Sequence, residues 1–239
     1  STPKEVRVAD TWHSEQSPPP EQFGWVGWIR IALRAVPLII LVFGGLGVLL
    51  ILRLIERPLF GERRPLTPYI TQFVCRMAFV LLGIKYTSEG TPLQCAGAVV
   101  ANHASWLDIF ALNARKRIYF VAKSEVARWH GIGWLARATG TVFIKRDRSD
   151  VSAQIKVFQD RLGAGHRLLF FPEGTSTDGL QVLAFKPALF AAFFDPAIKD
   201  GLQMQAATVN YIAPVGADSR FYGWWGDMDF APHLLSTLA

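Results

Sequence analysis

The sequence predicts an α/β fold, a mixed sheet flanked by helices, with an N-terminal helical segment embedded in a membrane. Three observations lead there. Short runs of small, β-branched or aromatic residues alternate with longer amphipathic stretches from residue 97 onward, the pattern of strands separated by helices. Two of these runs, ending at Ala101 and Phe171, stop abruptly at polar loops, which puts a site at strand ends. Residues 35–52 contain no charge at all, and as a helix they would measure about 27 Å, close to the hydrocarbon thickness of a bilayer.

Composition points the same way. Hydrophobic residues make up 51% of the 239 and charged residues only 18%, below the ~25% typical of soluble domains. The 8 Trp and 17 Phe suit a lipid interface. A net charge of +6 fits an anionic partner, either a membrane surface or an acidic carrier protein. No zinc spacing, helix-turn-helix pattern or aromatic RNA platform stands out, so nucleic acid is not among the expected partners. Cys75 and Cys95 form no motif, which suits a reducing compartment.

In chain order, residues 1–22 carry Ser17-Pro18-Pro19-Pro20 and no periodicity, as a flexible leader would. Residues 23–64 read as a membrane-associated helical segment. Its first part mixes Trp25, Trp28 and Ile29 with Arg30 and Arg34, as in a helix at the lipid interface. Two arrangements fit the uncharged run that follows: one crossing helix, or a re-entrant hairpin bent at Pro37 and at the glycines 44, 45 and 47. Arginines flank both sides, so charge bias does not choose between them.

Residues 65–239 form the expected catalytic domain. Residues 65–69 read as a linker and 70–83 as an apolar helix packed on the domain. A strand at 97–101 is followed by a helix starting near Trp106 with Ser105 as N-cap. Next come a strand at 118–122, a helix at 126–137, a strand at 141–144 and a helix at 151–162 stopped by Gly163 and Gly165. A strand from Arg167 and a last one at 205–211 complete the domain.

The chemistry centres on Asn102-His103-Ala104-Ser105-Trp106-Leu107-Asp108. On one continuous helix His103 and Asp108 would be separated by about 140° of rotation and could not meet. They meet only if His103 lies in the loop and Asp108 in the first helical turn. Asp108 then accepts a hydrogen bond from one imidazole nitrogen and leaves the other as a base. The same spacing also suits a capping histidine followed by an acid favoured by the helix dipole. The second polar loop, Pro172-Glu173-Gly174-Thr175, favours a site, because Gly174 lets the backbone approach a ligand and the N–H groups of Gly174 and Thr175 could receive an oxyanion.

Together, NHASWLD at 102–108, GTVFIKR at 140–146 and FPEGTS at 171–176 resemble three ordered blocks of the glycerolipid acyltransferase family, which includes the lysophosphatidic acid acyltransferases. The resemblance implies acyl transfer from a thioester to a hydroxyl. His103 would be the base and Asp108 its orienting acid; Glu173 would lie at the acceptor and Arg146 would hold the acceptor's anionic head. Lys186 either assists that head or is a plain surface lysine. No cofactor or metal is implied: acyl carrier protein or acyl-CoA brings the acyl chain as a donor substrate, and a lysolipid and membrane lipids complete the partners. The implied location is the cytoplasmic side of a bacterial inner membrane.

The family's fourth block usually contains a Pro-Val pair, and residues 205–209 lack the proline. The tail at 224–234, WWGDMDFAPHL, resembles that of the bacterial lyso-ornithine lipid O-acyltransferase branch. It implies lyso-ornithine lipid as acceptor, with lysophosphatidic acid as the alternative. A membrane module that binds lipid without turning it over would be a different class of protein carrying the same loops.

Overall fold

The computed structural model describes residues 12, 14, 22–129, 131–144, 151–187 and 190–239. Arg146 and most of the 1–22 leader lie outside the described residues. The chain begins with helix α1 (Trp25–Phe60) and helix α2 (Thr67–Leu82). It continues through β1 (Gly97–Ala101), α3 (Leu107–Arg115), β2 (Tyr119–Lys123), α4 (Ile132–Thr139) and β3 (Val142–Ile144). Then follow α5 (Val151–Gly163), β4 (Arg167–Phe170), the short α6 (Pro196–Lys199), β5 (Gln203–Ala207) and α7 (Phe230–Leu238).

The five strands order as β3-β2-β4-β1-β5. Every pairing is parallel, in register Val99↔Leu169 between β1 and β4 and Val99↔Gln205 between β1 and β5, which narrows the expected mixed sheet to a parallel one. Parallel strands need crossovers that cover both faces, so their side chains are apolar on both sides. In β4, Leu168 and Phe170 pack on one side with Phe158 of α5 and Phe193, while Leu169 packs on the other with Val99 and Ile118. Phe193 stacks on Phe158 and Phe170 at 4.8 and 5.0 Å between ring centroids. A further layer joins Cys75, Phe79 and Leu82 of α2 to Trp106, Leu107 and Ala111.

After β1 the chain crosses to β2 on one side, and after β4 it crosses to β5 on the other. The crevice beyond the C-terminal ends of the adjacent strands β1 and β4 is therefore a topological switch point, the place where such sheets bind ligands.

Several sequence expectations shift for local reasons. Helix α1 runs unbroken for 36 residues through Pro37 and the glycine cluster, so the re-entrant hairpin is not formed. Gly45 serves helix packing instead: a Cβ there would lie 2.5 Å from Val74 of α2. Helix α2 begins inside the expected linker because Glu56 of α1 accepts hydrogen bonds from the N–H of Leu66 at 2.7 Å, the N–H of Thr67 at 3.2 Å and the Thr67 hydroxyl at 2.6 Å. Pro68 fits that first turn, where no backbone donor is needed. The helix expected over 126–137 is broken. A 3-10 turn at Ser124–Arg128 precedes α4, Gly131 takes φ +72°, and Gly133 packs against the Ala127 carbonyl where no Cβ would fit. The last strand starts two residues earlier than expected and stops at Ala207.

Helix α1 is long and apolar enough to cross a membrane, with a mean hydropathy of 2.8 in its most apolar window. Much of its surface is bare: Ile40 is 66% and Leu54 78% exposed. Both ends are nevertheless tied to the catalytic domain. Arg30 and Arg34 donate to the Ala239 and Leu238 carbonyls at the end of α7, at 2.6 and 3.1 Å. Just past the other end, Arg64 donates to the Ala138 carbonyl of α4 at 2.9 Å.

Candidate active site

The site forms where β1 and β4 end side by side. Asn102 and His103 leave β1, and Pro172 and Glu173 follow β4, so residues 70 positions apart meet: Glu173 Oε1 accepts the His103 backbone N–H at 3.0 Å. The His103 carbonyl accepts the Thr177 N–H at 2.9 Å. The backbone of His103 is thus held on both sides by the second loop.

Asp108 lies in the first turn of α3 and is wholly buried. Its Oδ2 accepts His103 Nδ1–H at 2.7 Å and the backbone N–H groups of Ala104 and Ser105 at 2.8 and 3.1 Å. Its Oδ1 accepts the Tyr211 hydroxyl at 2.6 Å. Four donors converge on one side chain, so Asp108 is a carboxylate, and the proton it shares with His103 sits on Nδ1. Nε2 is the basic nitrogen. It has no partner among the described residues, and the side chain is 21% exposed. The imidazole stacks on Phe171 at 3.9 Å with the rings 10° apart, which fixes its plane.

The expected N-cap role of Ser105 is corrected. Trp106 occupies the cap position with no side-chain cap, and Ser105 Oγ accepts the Leu107 N–H at a long 3.4 Å. Asp108 takes the loop N–H groups instead. It caps the turn from within and is at the same time the partner of His103.

Glu173, expected at the acceptor, stands beside the His103 backbone. It is fully buried, and its second oxygen accepts the Leu183 N–H at 2.7 Å. With one oxygen on the His103 N–H and the other on the Leu183 N–H, it braces the His103 loop. Gly174 takes φ +71°, and its N–H bonds to the Phe171 carbonyl at 3.0 Å, so it is not a spare oxyanion donor. The Thr175 N–H has no partner among the described residues. Lys186 is brought to the same loop by its backbone N–H, bonded to the Pro172 carbonyl at 2.9 Å, and its ammonium has no partner among the described residues.

Two residues at the site escape the sequence reading. The Asn102 amide donates to the Val209 carbonyl at 2.9 Å and accepts the Val209 N–H at 2.8 Å, extending the β1–β5 pairing by side chain. Tyr211, two residues on, is the donor to Asp108. Burial, with the Asp108 charge adding, pushes its phenol well above the ordinary value, so it keeps its proton. A small cleft bordered by Ala104, Asp178, Leu180, Val209, Tyr211 and Ser219 opens beside these groups. The tail closes over the same loop: Trp224 N–H donates to the Ala104 carbonyl at 2.8 Å, and Trp106 Nε1–H donates to His233 Nδ1 at 2.9 Å. Burial lowers the His233 value, which keeps it a neutral, structural acceptor.

A sequence profile of the Acyltransferase family matches residues 84–215, the span that holds all five strands and both loops. The chain belongs to the acyltransferase family. A lyso-ornithine lipid O-acyltransferase of Rhodobacter capsulatus is 55% identical over 228 residues, covering 95% of this chain and 83% of the relative. The enzyme of that name from Pseudomonas aeruginosa is 32% identical over 206 residues, covering 86% and 78%. Among solved structures, the 1-acyl-sn-glycerophosphate acyltransferase PlsC of Thermotoga maritima superposes with a TM-score of 0.56 at 24% identity, covering 75% of this chain and 70% of that one. That likeness concerns the fold. The first relative's alignment takes in most of this acyltransferase beyond the profile-matched span.

Proposed function

We propose that this acyltransferase moves an acyl chain from a thioester, carried by acyl carrier protein or CoA, to the hydroxyl of lyso-ornithine lipid. The observation that carries the reaction is the His103–Asp108 pair, with Nδ1–H on the carboxylate and Nε2 open. The acceptor rests on the identity to the Rhodobacter capsulatus enzyme.

In this reading Nε2 of His103 takes the proton of the acceptor hydroxyl as its oxygen attacks the thioester carbonyl. Asp108 stabilises the imidazolium so formed. The tetrahedral intermediate collapses, the C–S bond breaks, and the imidazolium returns its proton to the departing thiolate. The product is an ester and a free thiol, and no covalent acyl-enzyme is needed. Thr175 N–H is the loop donor left to meet the oxyanion, and Lys186 is the cation placed to meet a carboxylate on the acceptor.

Contacts of Arg30 and Arg64 with one domain, near the two ends of α1, support a reading in which those ends lie on the same side of a bilayer. We therefore place α1 along one leaflet, with the domain on the cytoplasmic face where thioester donors are made. Labelling of cysteines introduced at Trp25 and Phe60 tests this, and modification of the two from opposite sides overturns it. The acceptor is tested with the full chain in lipid vesicles, labelled acyl carrier protein thioester, and lyso-ornithine lipid or lysophosphatidic acid. Acylation of the ornithine acceptor at least about tenfold faster is expected, since headgroup discrimination of this size needs only about 1.4 kcal/mol. Preference for lysophosphatidic acid overturns the acceptor assignment, and turnover of neither overturns the reaction.

A further inference from the structure

We propose that Tyr211 is a positioning residue for the transfer reaction: its hydroxyl holds Asp108 through the oxygen His103 does not use, and Asn102 sets the tyrosine in place. The inference rests on the reading of His103 as the base.

Asp108 is 0% exposed, so nothing but protein groups solvates its charge. Its Oδ2 serves His103 and two backbone N–H groups, while Oδ1 takes the Tyr211 hydroxyl at 2.6 Å. A carboxylate accepts only, so the tyrosine donates. Removing that donor would leave Oδ1 buried with a free lone pair and leave Asp108 free to turn about its last bond. Both changes act on the His103 hydrogen bond, since one carboxylate carries both contacts.

The tyrosine is not placed by its own strand, which ends at Ala207. Its segment is fixed at Val209, where the Asn102 amide both donates and accepts at 2.9 and 2.8 Å. The ring then rests against Tyr222 at 5.9 Å between centroids. A circuit results, from Asn102 through Val209 and Tyr211 to Asp108 and His103, which begins and ends in one loop. Asn102 and His103 are neighbours along the chain, yet the amide reaches the imidazole by way of a segment more than a hundred positions away.

The circuit also tunes the base. A strong donor on Oδ1 draws carboxylate charge away from Oδ2, which weakens the pull of Asp108 on the His103 proton and makes the imidazolium less stable. Among the described residues, the ionisable groups bonded around His103 are Asp108 from α3, Tyr211 from the segment after β5, through Asp108, and Glu173 from the loop after β4, which accepts the His103 backbone N–H. Tyr86 acts on Tyr211 from farther off.

The test is the pH dependence of kcat/KM for the full-length chain in vesicles, with whichever acceptor it turns over. Tyr211→Phe is expected to lower kcat about tenfold, the size of one charged hydrogen bond, and to move the acid limb to higher pH. Replacing Tyr211 with 3-fluorotyrosine, a stronger donor of nearly the same shape, is expected to move that limb to lower pH. A merely structural tyrosine would not produce opposite shifts. Asn102→Ala is expected to reproduce the phenylalanine shift and to add little to it in the double variant. If Tyr211→Phe does not fold, the fluorotyrosine and Asn102→Ala profiles decide. An acid limb that none of these substitutions moves overturns the role of Tyr211 and leaves His103 standing. A wild-type profile with no acid limb, or full turnover by His103→Ala, overturns the reading of His103 itself.

Discussion

His103 and His166 stand at opposite strand ends of the same sheet. His103 follows the C-terminal end of β1, and His166 precedes the N-terminal end of the adjacent β4. Both rings are stacked on an aromatic neighbour, Phe171 at 3.9 Å and Tyr119 at 4.0 Å. The difference lies in what meets Nδ1. For His103 it is the Asp108 carboxylate, as acceptor. For His166 it is the Arg161 guanidinium, which donates at 2.7 Å. Burial, with the charges of Arg161 and Arg64 adding, takes the His166 value down to about 3. For His166 burial does most to keep the ring neutral and the cation at Nδ1 adds to it, whereas for His103 an anion at Nδ1 leaves the second nitrogen as the base.

The largest break in this comparison is His103→Ala, expected to lower kcat about a thousandfold while circular dichroism and vesicle binding stay as in the wild type. Retention of turnover would remove His103 as the base. Next is Glu173→Ala, which strands two part-buried N–H groups, those of His103 and Leu183. It should lower stability by about 2–4 kcal/mol in denaturant titration and cut kcat by about tenfold or more as the histidine backbone loosens. An unchanged unfolding midpoint would show that the loop does not depend on it.

The smallest effect on turnover is expected from His166→Gln, within about twofold at neutral pH, since surface and scaffold changes away from a site act weakly. Its signature is in stability instead. The folded value, about 3, lies below the ordinary 6.5, so the unfolded chain takes up the proton first. Stability from His166 is therefore complete above pH 6.5 and is lost as pH falls toward 3. Glutamine can still accept from Arg161 but does not titrate, so the acid decline in stability should become shallower across that window. An equally steep decline in the variant would assign it to other groups.

Much of this was readable from residue order. The 97–101 strand was located to the residue, and the pairing of His103 with Asp108 was one of two arrangements their spacing allowed, the one the 2.7 Å contact selects. The elements that shifted depend on distant groups. Helix α2 starts early because Glu56 of α1 supplies its cap, and the helix expected at 126–137 breaks where Gly133 meets the Ala127 carbonyl. Glu173 is in the expected loop, but its bonds to the His103 and Leu183 N–H groups carried no sequence signal. Tyr211 carried no sequence signal, being 103 positions from Asp108. Arg146 lies outside the described residues.

Taken alone, the order of residues determined the alternation of strands and helices, where two apolar runs give way to polar loops, and that an imidazole and a carboxylate stand five positions apart. These are local matters, governed by periodicity and by contacts a few residues apart. Only the tertiary structure decided that β1 and β4 are neighbours. That adjacency brings Glu173 to the His103 backbone and, through the Asn102 clamp on Val209, Tyr211 to Asp108. Hydrogen bonds between remote segments form because a buried donor or acceptor left alone is costly, and a linear pattern does not record which remote group will meet that need.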